Sequence, residues 1–199
     1  MTMQGPHKAK YFVNSYLELD LPTRLVKYRN DWNVDDEELP EPTKYLVHEP
    51  IAIDHWPTLI TVAISMNGLV RSDYTRVFDP QFRVDYAMRT YVWVKDDSAE
   101  LCTIKRDRLT TVLRSALLDT PSLNRCGDEE HLEVMIDEGS IREEYSDLTL
   151  IKGERVMAGS YIAYTMTVNE VSTLATLSDS STYEVEVESV SWTEDFDDI

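Results

Sequence analysis

Four histidines, two cysteines and 37 carboxylates are the raw material for chemistry in this chain of 199 residues. His7, His48, His55 and His131 never stand as H-x-H or H-E-x-x-H, the spacings that bring two imidazoles onto one metal ion. The stretch "DEEH" (128–131) has the groups to hold a cation weakly, but clustered carboxylates in an acidic protein read more readily as a solvated loop. His55, in "DHW" before Pro57, reads as a hydrogen-bonded structural histidine. Ser140, Ser160 and Ser172 have no base beside them in sequence, and there is no G-x-S-x-G, P-loop or G-x-G-x-x-G. Six glycines leave little from which to build a phosphate-cradling loop. No catalytic residue, metal or cofactor is assigned, and the reading is of a protein that is not an enzyme.

One pattern is left that residue chemistry must account for. In "TYEVEVES" (182–189), Glu184, Glu186 and Glu188 alternate with Tyr183, Val185 and Val187, the period of a half-buried strand. Carboxylates two residues apart on a strand are about 6.5–7 Å from one another, inside the Debye length of about 8 Å. The row is either a solvated strand face or a wall of like charge.

The elements that must position these groups follow from periodicity. Residues 8–19 place Tyr11, Phe12, Tyr16 and Leu19 near helical spacing, and a second short helix is expected after Pro22 with Leu25, Val26 and Tyr28 inward. Four consecutive acids and prolines at 40, 42 and 50 then make an extended surface strap. "TLITVAIS" (58–65) reads as a buried strand ended by Asn67-Gly68. In "QFRVDYAMRTYVWV", Phe82, Val84, Tyr86, Met88, Val92 and Val94 line one face, and Arg83, Asp85, Arg89, Tyr91 and Trp93 the other. That second face, rich in Tyr, Trp and Arg, has the composition of a subunit contact as well as of a packed layer.

Asp97 with Glu100 reads as a capping box opening a helix whose apolar stripe runs from Leu101 and Cys102 to Leu117. Arg106, Arg108 and Arg114 fall on or near its outer side. Further strands are expected at 131–137, 146–152, 155–171 (Ile162, Tyr164, Met166 and Val168 on one face) and 183–192, with Gly159 marking a bulge or bend. The expectation is an α+β fold: a mostly antiparallel sheet with one long helix packed on it, plus an N-terminal helical arm and extended strap. The arm and strap occupy 1–50, the core domain 51–192 and an acidic tail 193–199.

Charge bounds the partners. With 37 acidic against 19 basic residues the formal net charge is −18, which argues against a nucleic-acid grip, since duplex affinity comes mostly from cations neutralising phosphates. Cys102 and Cys126 read as free thiols in a reducing compartment. The start lacks a signal-peptide core and no run is apolar enough for a membrane span, so a cytoplasmic origin is expected.

The strand "FRVDYAMRTYVWVKDDS" followed at once by "AELCTIKRDRLTTVLRSALLDTPSLN" resembles the central strand and helix of tail terminator proteins of long-tailed bacteriophages. The likeness lies in the strand, the short acidic turn, the Arg106-Asp107-Arg108-Leu109 step and the Leu117-Leu118 to Leu123 ending. The order of the remaining elements is also similar, whereas the strap and acidic tail add length. The resemblance implies a virion protein of the neck, assembled in the host cytoplasm as a homo-oligomeric ring, a hexamer. Such a ring caps the tail tube protein and meets the head connector proteins, with DNA passing through without specific binding. Glu184, Glu186 and Glu188 would then line the channel and repel DNA. Arg89, Tyr91, Trp93, Arg106, Arg108 and Arg114 would form the subunit interface, with Arg106, Arg108 and Arg114 of the helix facing a neighbour's acidic strap. The alternatives are a head–tail connector or stopper, and an acidic binding protein or DNA mimic.

Overall fold

A computed structural model describes residues 5–50, 52–71, 81–123, 134–145, 150–152 and 155–171. Helix α1 spans Pro6–Trp32, strand β1 Lys44–Leu46, β2 Thr58–Arg71, β3 Gln81–Asp96, helix α2 Ala99–Asp119, β4 Val134–Tyr145, β5 Leu150–Lys152 and β6 Arg155–Val171. The strands form one six-stranded sheet in the order β1-β2-β3-β6-β4, with β5 also paired to β6. Only the β1–β2 pair is parallel. The fold is therefore α+β with a mostly antiparallel sheet.

Strand alternation decides what each face carries. On β3, Val84, Tyr86, Met88, Thr90, Val92 and Val94 are buried, and on β6 so are Ala158, Ser160, Ile162, Tyr164, Met166 and Val168. Helix α2 covers this face with Cys102, Leu109, Val112, Leu113, Ala116 and Leu117. A chain of hydroxyls, Thr61 to Thr90 (3.2 Å) to Tyr164 (3.0 Å), crosses three strands inside that core and satisfies its own polar groups.

The N-terminal region differs from expectation. One helix of 27 residues replaces two short ones and runs straight through Pro22. Proline inside a helix costs about 3 kcal/mol through one lost hydrogen bond and a clash. Leu17, Leu21 and Leu25, all fully buried at four-residue spacing, carry the helix across it, since each such burial contributes about 1.5–3 kcal/mol. The inward face is thus Ala9, Val13, Tyr16, Leu17, Leu21 and Leu25, while Tyr11, Leu19 and Val26 face solvent. Helix α1 shares one core with α2 and the sheet. Arg24 ties the two helices together, pairing with Asp20 on its own helix and Asp119 at the end of α2. The helix closes on Asn33, a left-handed residue whose φ is 51°.

The strap is pinned at three points. Leu39 is fully buried, Arg29 donates to its carbonyl at 2.9 Å, and Thr43 N donates to Pro57 O at 2.8 Å.

Four local expectations are corrected. β2 does not end at Asn67-Gly68 but continues to Arg71, with bulges between Ala63 and Ser65 and between Met66 and Gly68 absorbing the turn-forming pair. Gly159 sits in unbroken register opposite Trp93 and marks neither bulge nor bend. Ser98, not Asp97, caps α2: its backbone is extended and its Oγ accepts from Leu101 N at 3.4 Å. Glu100 then falls one position short of a capping box. β4 also runs past 137 to Tyr145. The 183–192 strand expectation, Cys126, His131 and "DEEH" lie outside the described residues.

Candidate interaction surface

The sheet face turned away from α2 is set by β3's odd-numbered residues. Register places Arg89 opposite Val62 and Ala163, Tyr91 opposite Ile60 and Tyr161, and Trp93 opposite Thr58 and Gly159. Arg89, Tyr91 and Trp93, singled out from sequence, therefore form one row at the centre of the sheet. The row is half-buried, while Thr58, Ile60 and Val62 beside it are buried.

Aromatic and cationic groups interlock along this row. The Tyr91 and Tyr161 rings lie 5.2 Å apart between centroids, and the Arg89 guanidinium stands 4.7 Å over Tyr161. A hydrogen bond with Tyr91 is the largest effect on Arg89 and raises its pKa, so the guanidinium is held charged. Tyr161 donates its hydroxyl to the Glu144 carboxylate, which raises the phenol's pKa. Further along, the Lys95 ammonium stands 5.7 Å over the Trp56 ring. Cation–π contacts of this kind hold charged groups on an apolar surface while leaving them reachable.

The strap borders the platform. A groove of about 290 Å³ is lined by Glu49 and Pro50 at the end of the strap, by Ile53 just after it, and by Ile60, Tyr91 and Trp93 from the sheet. A more polar hollow of about 280 Å³, where the end of the strap meets the segment leading into β2, includes His48, Asp54 and His55. Tyr161 and Trp56 were not singled out in sequence. Alternation along 155–171 does put Tyr161 on the face opposite Ile162, but the register that sets it beside Tyr91 comes from pairing. Trp56 carries no periodic signal at all.

The three α2 arginines do not act together. Arg106, expected on the outer side, is 9% exposed; its guanidinium pairs with Asp107 and lies 5.2 Å over the Tyr145 ring of β4. The helix stripe is wide enough that this position meets the sheet edge. Arg108 pairs with Glu38 at 3.3 Å, so it does meet an acidic strap, that of its own chain. Arg114 pairs with Glu143 of β4 at 3.0 Å. Glu184, Glu186 and Glu188 lie outside the described residues.

Ser140, Ser160 and Cys102 have structural partners, while Ser172 lies outside the described residues. Ser160 shares a hydrogen bond with Thr110 at 2.6 Å in the core. Ser140 bridges the β4 irregularity, donating to Asp137 O and accepting from Thr165 N. Cys102 is buried, its Sγ within 3.4 Å of Val156 O, and burial pushes the thiol's pKa up. Among the described residues, no group of three or more His, Cys, Asp and Glu side chains is placed to hold a metal ion. No helix among them is long and apolar enough to cross a membrane. The arrangement offers recognition by a half-buried aromatic and cationic face. No protein-family model matches this chain, and no curated protein matches it in sequence.

Proposed function

We propose that this chain is a structural virion protein of a long-tailed bacteriophage, the tail terminator. Its copies close into a ring, a hexamer, that caps the tail tube and joins it to the head connector, with DNA passing through the bore. The observation that supports this reading most is the Arg89, Tyr91 and Trp93 row, joined by Tyr161, at the centre of an otherwise well-packed sheet. Tyr, Trp and Arg are the residues enriched in the energetic centres of subunit contacts, and a ring needs such a patch on every copy. The net charge of −18 suits a wall past which DNA slides without sticking. The direct succession of β3 and α2 agrees with the order of elements in the resemblance.

The experiment that tests it is negative-stain electron microscopy of an infection in which the chain is not made. Tails of uncontrolled length beside separate filled heads are the expected result. Tails of normal length beside unjoined or leaking heads would move the chain to the head side as a connector or stopper. Normal virions would overturn the structural reading and leave an acidic binding protein.

A further inference from the structure

We propose that the outer side of α1 is a docking surface for this chain's own acidic segment 172–199. Helix α1 is apolar on two sides. Leu17, Leu21 and Leu25 are fully buried in the core, while Tyr11, Leu19 and Val26 are 48%, 62% and 55% exposed. Those three lie within about 80° of one another around the helix axis, with the half-buried ring of Phe12 edge-on to Tyr11. A helix that packs on one side only carries polar residues on the other, so apolar residues on both sides mark a second contact.

Position and charge choose the occupant. Strand β6 ends beside the first turn of α1, where Lys8 Nζ donates to Asn169 O at 3.1 Å, two residues before Val171. The residues after Val171 therefore set out from one end of the apolar row. From Lys8 to Val26 is about 27 Å along the helix, a span that about nine extended residues cover, and 28 residues follow Val171. These carry eight acids and no Lys or Arg, together with Trp192, Phe196 and Ile199. Helix α1 contrasts with the rest of a chain of net charge −18, having five Lys and Arg against three Asp and Glu. Lys8 precedes the row, its ammonium 5.8 Å over the Phe12 ring, and Lys27 and Arg29 follow Val26, with Glu18 the carboxylate beside Leu19. A second copy of α1 would set these cations against their like, whereas the acidic segment complements them and lays its aromatic side chains on the apolar row. The docking does not rest on the ring reading, since α1 shares the core with α2 and the Arg89, Tyr91 and Trp93 row is on the opposite face of the sheet.

The test uses the full chain with the photoreactive residue p-benzoylphenylalanine in place of Val26, and separately in place of Tyr11, both exposed positions. Irradiation should join each probe to residues 172–199 of the same chain, read by mass spectrometry on the monomer. Trp192→Ala with Phe196→Ala should cut that yield at least fivefold and leave the circular dichroism unchanged. Covalent dimers joined through α1 of a second copy, or a yield unmoved by loss of both aromatics, would overturn the proposal. So would probes that reach no residue of 172–199 at either position.

Discussion

The indole of Trp93 lies flat against the backbone of Gly159 on the neighbouring strand, so close that a Cβ added at the glycine would stand 2.9 Å from the ring. Trp93 can hold its half-buried place in the row with Tyr91 because its cross-strand partner has no side chain. Glycine ordinarily weakens a strand interior, and an aromatic ring laid over it restores the lost packing.

Gly159→Ala should therefore push the Trp93 ring off its seat. We expect a loss of about 1–3 kcal/mol, the usual size for overpacking. Urea denaturation checks the stability, and a red shift in tryptophan emission reports the exposed indole. Unchanged values of both would contradict the contact.

Arg24→Ala should loosen α1 from α2. The guanidinium serves Asp20 and Asp119 and lies 3.4 Å from the Tyr16 hydroxyl, which itself donates to Ala116 O at 3.0 Å. Removing it leaves Asp20, 13% exposed, without that partner, and we expect a loss of about 1–3 kcal/mol. Asp119→Asn, at a side chain 59% exposed, should cost no more than about 1 kcal/mol. Equal effects from the two changes would place the energy elsewhere.

The acid limb of stability should depend on Asp96. Burial pushes its pKa up, but the Lys105 ammonium at 2.6 Å and the Ser98 and Asp97 amides outweigh that, and the carboxyl is held below its ordinary range. A folded pKa below the unfolded value of about 3.9 stabilises the protein above that pH. The contribution fades as pH falls through the folded value. Wild type should accordingly exceed Asp96→Asn in stability at pH 7, with the gap closing as pH is lowered below about 4. A gap that stays constant down to pH 2 would rule out the linkage.

The α2 arginines should separate by role. Arg106→Glu places a carboxylate against Tyr145 and Asp107 in a site only 11% exposed at the side chain, and should cost about 3 kcal/mol or more. Arg108→Glu, at 27% exposure, breaks the pair with Glu38 and should mainly free the strap, seen as faster proteolysis between 33 and 43. Similar losses of stability from both would contradict the difference in burial.

If the platform joins copies, Tyr91→Ala combined with Arg89→Ala should abolish the ring while the monomer keeps its fold, because both side chains lie on the sheet face away from the main core. Light scattering coupled to size exclusion reads the mass, and circular dichroism the fold. An intact ring with both changes would remove the platform from the interface.

Strand periodicity by itself determined much of this protein. The two faces of β3, the core face of β6, the apolar stripe of α2 from Cys102 onward and the shared face of Arg89, Tyr91 and Trp93 all follow from alternation or from 3.6-residue spacing, which are properties of a single element. Tertiary structure decided what depends on a second element. Pro22 reads as a helix breaker until Leu17, Leu21 and Leu25 are seen buried together across it. Asn67-Gly68 reads as a turn until pairing with β3 draws the strand through it as bulges. Arg106 reads as an outward cation until β4 arrives with Tyr145, and Tyr161 joins the platform only through the register of β6 on β3. Local propensities amount to about 1 kcal/mol per residue, and long-range burial overrides them wherever the two compete.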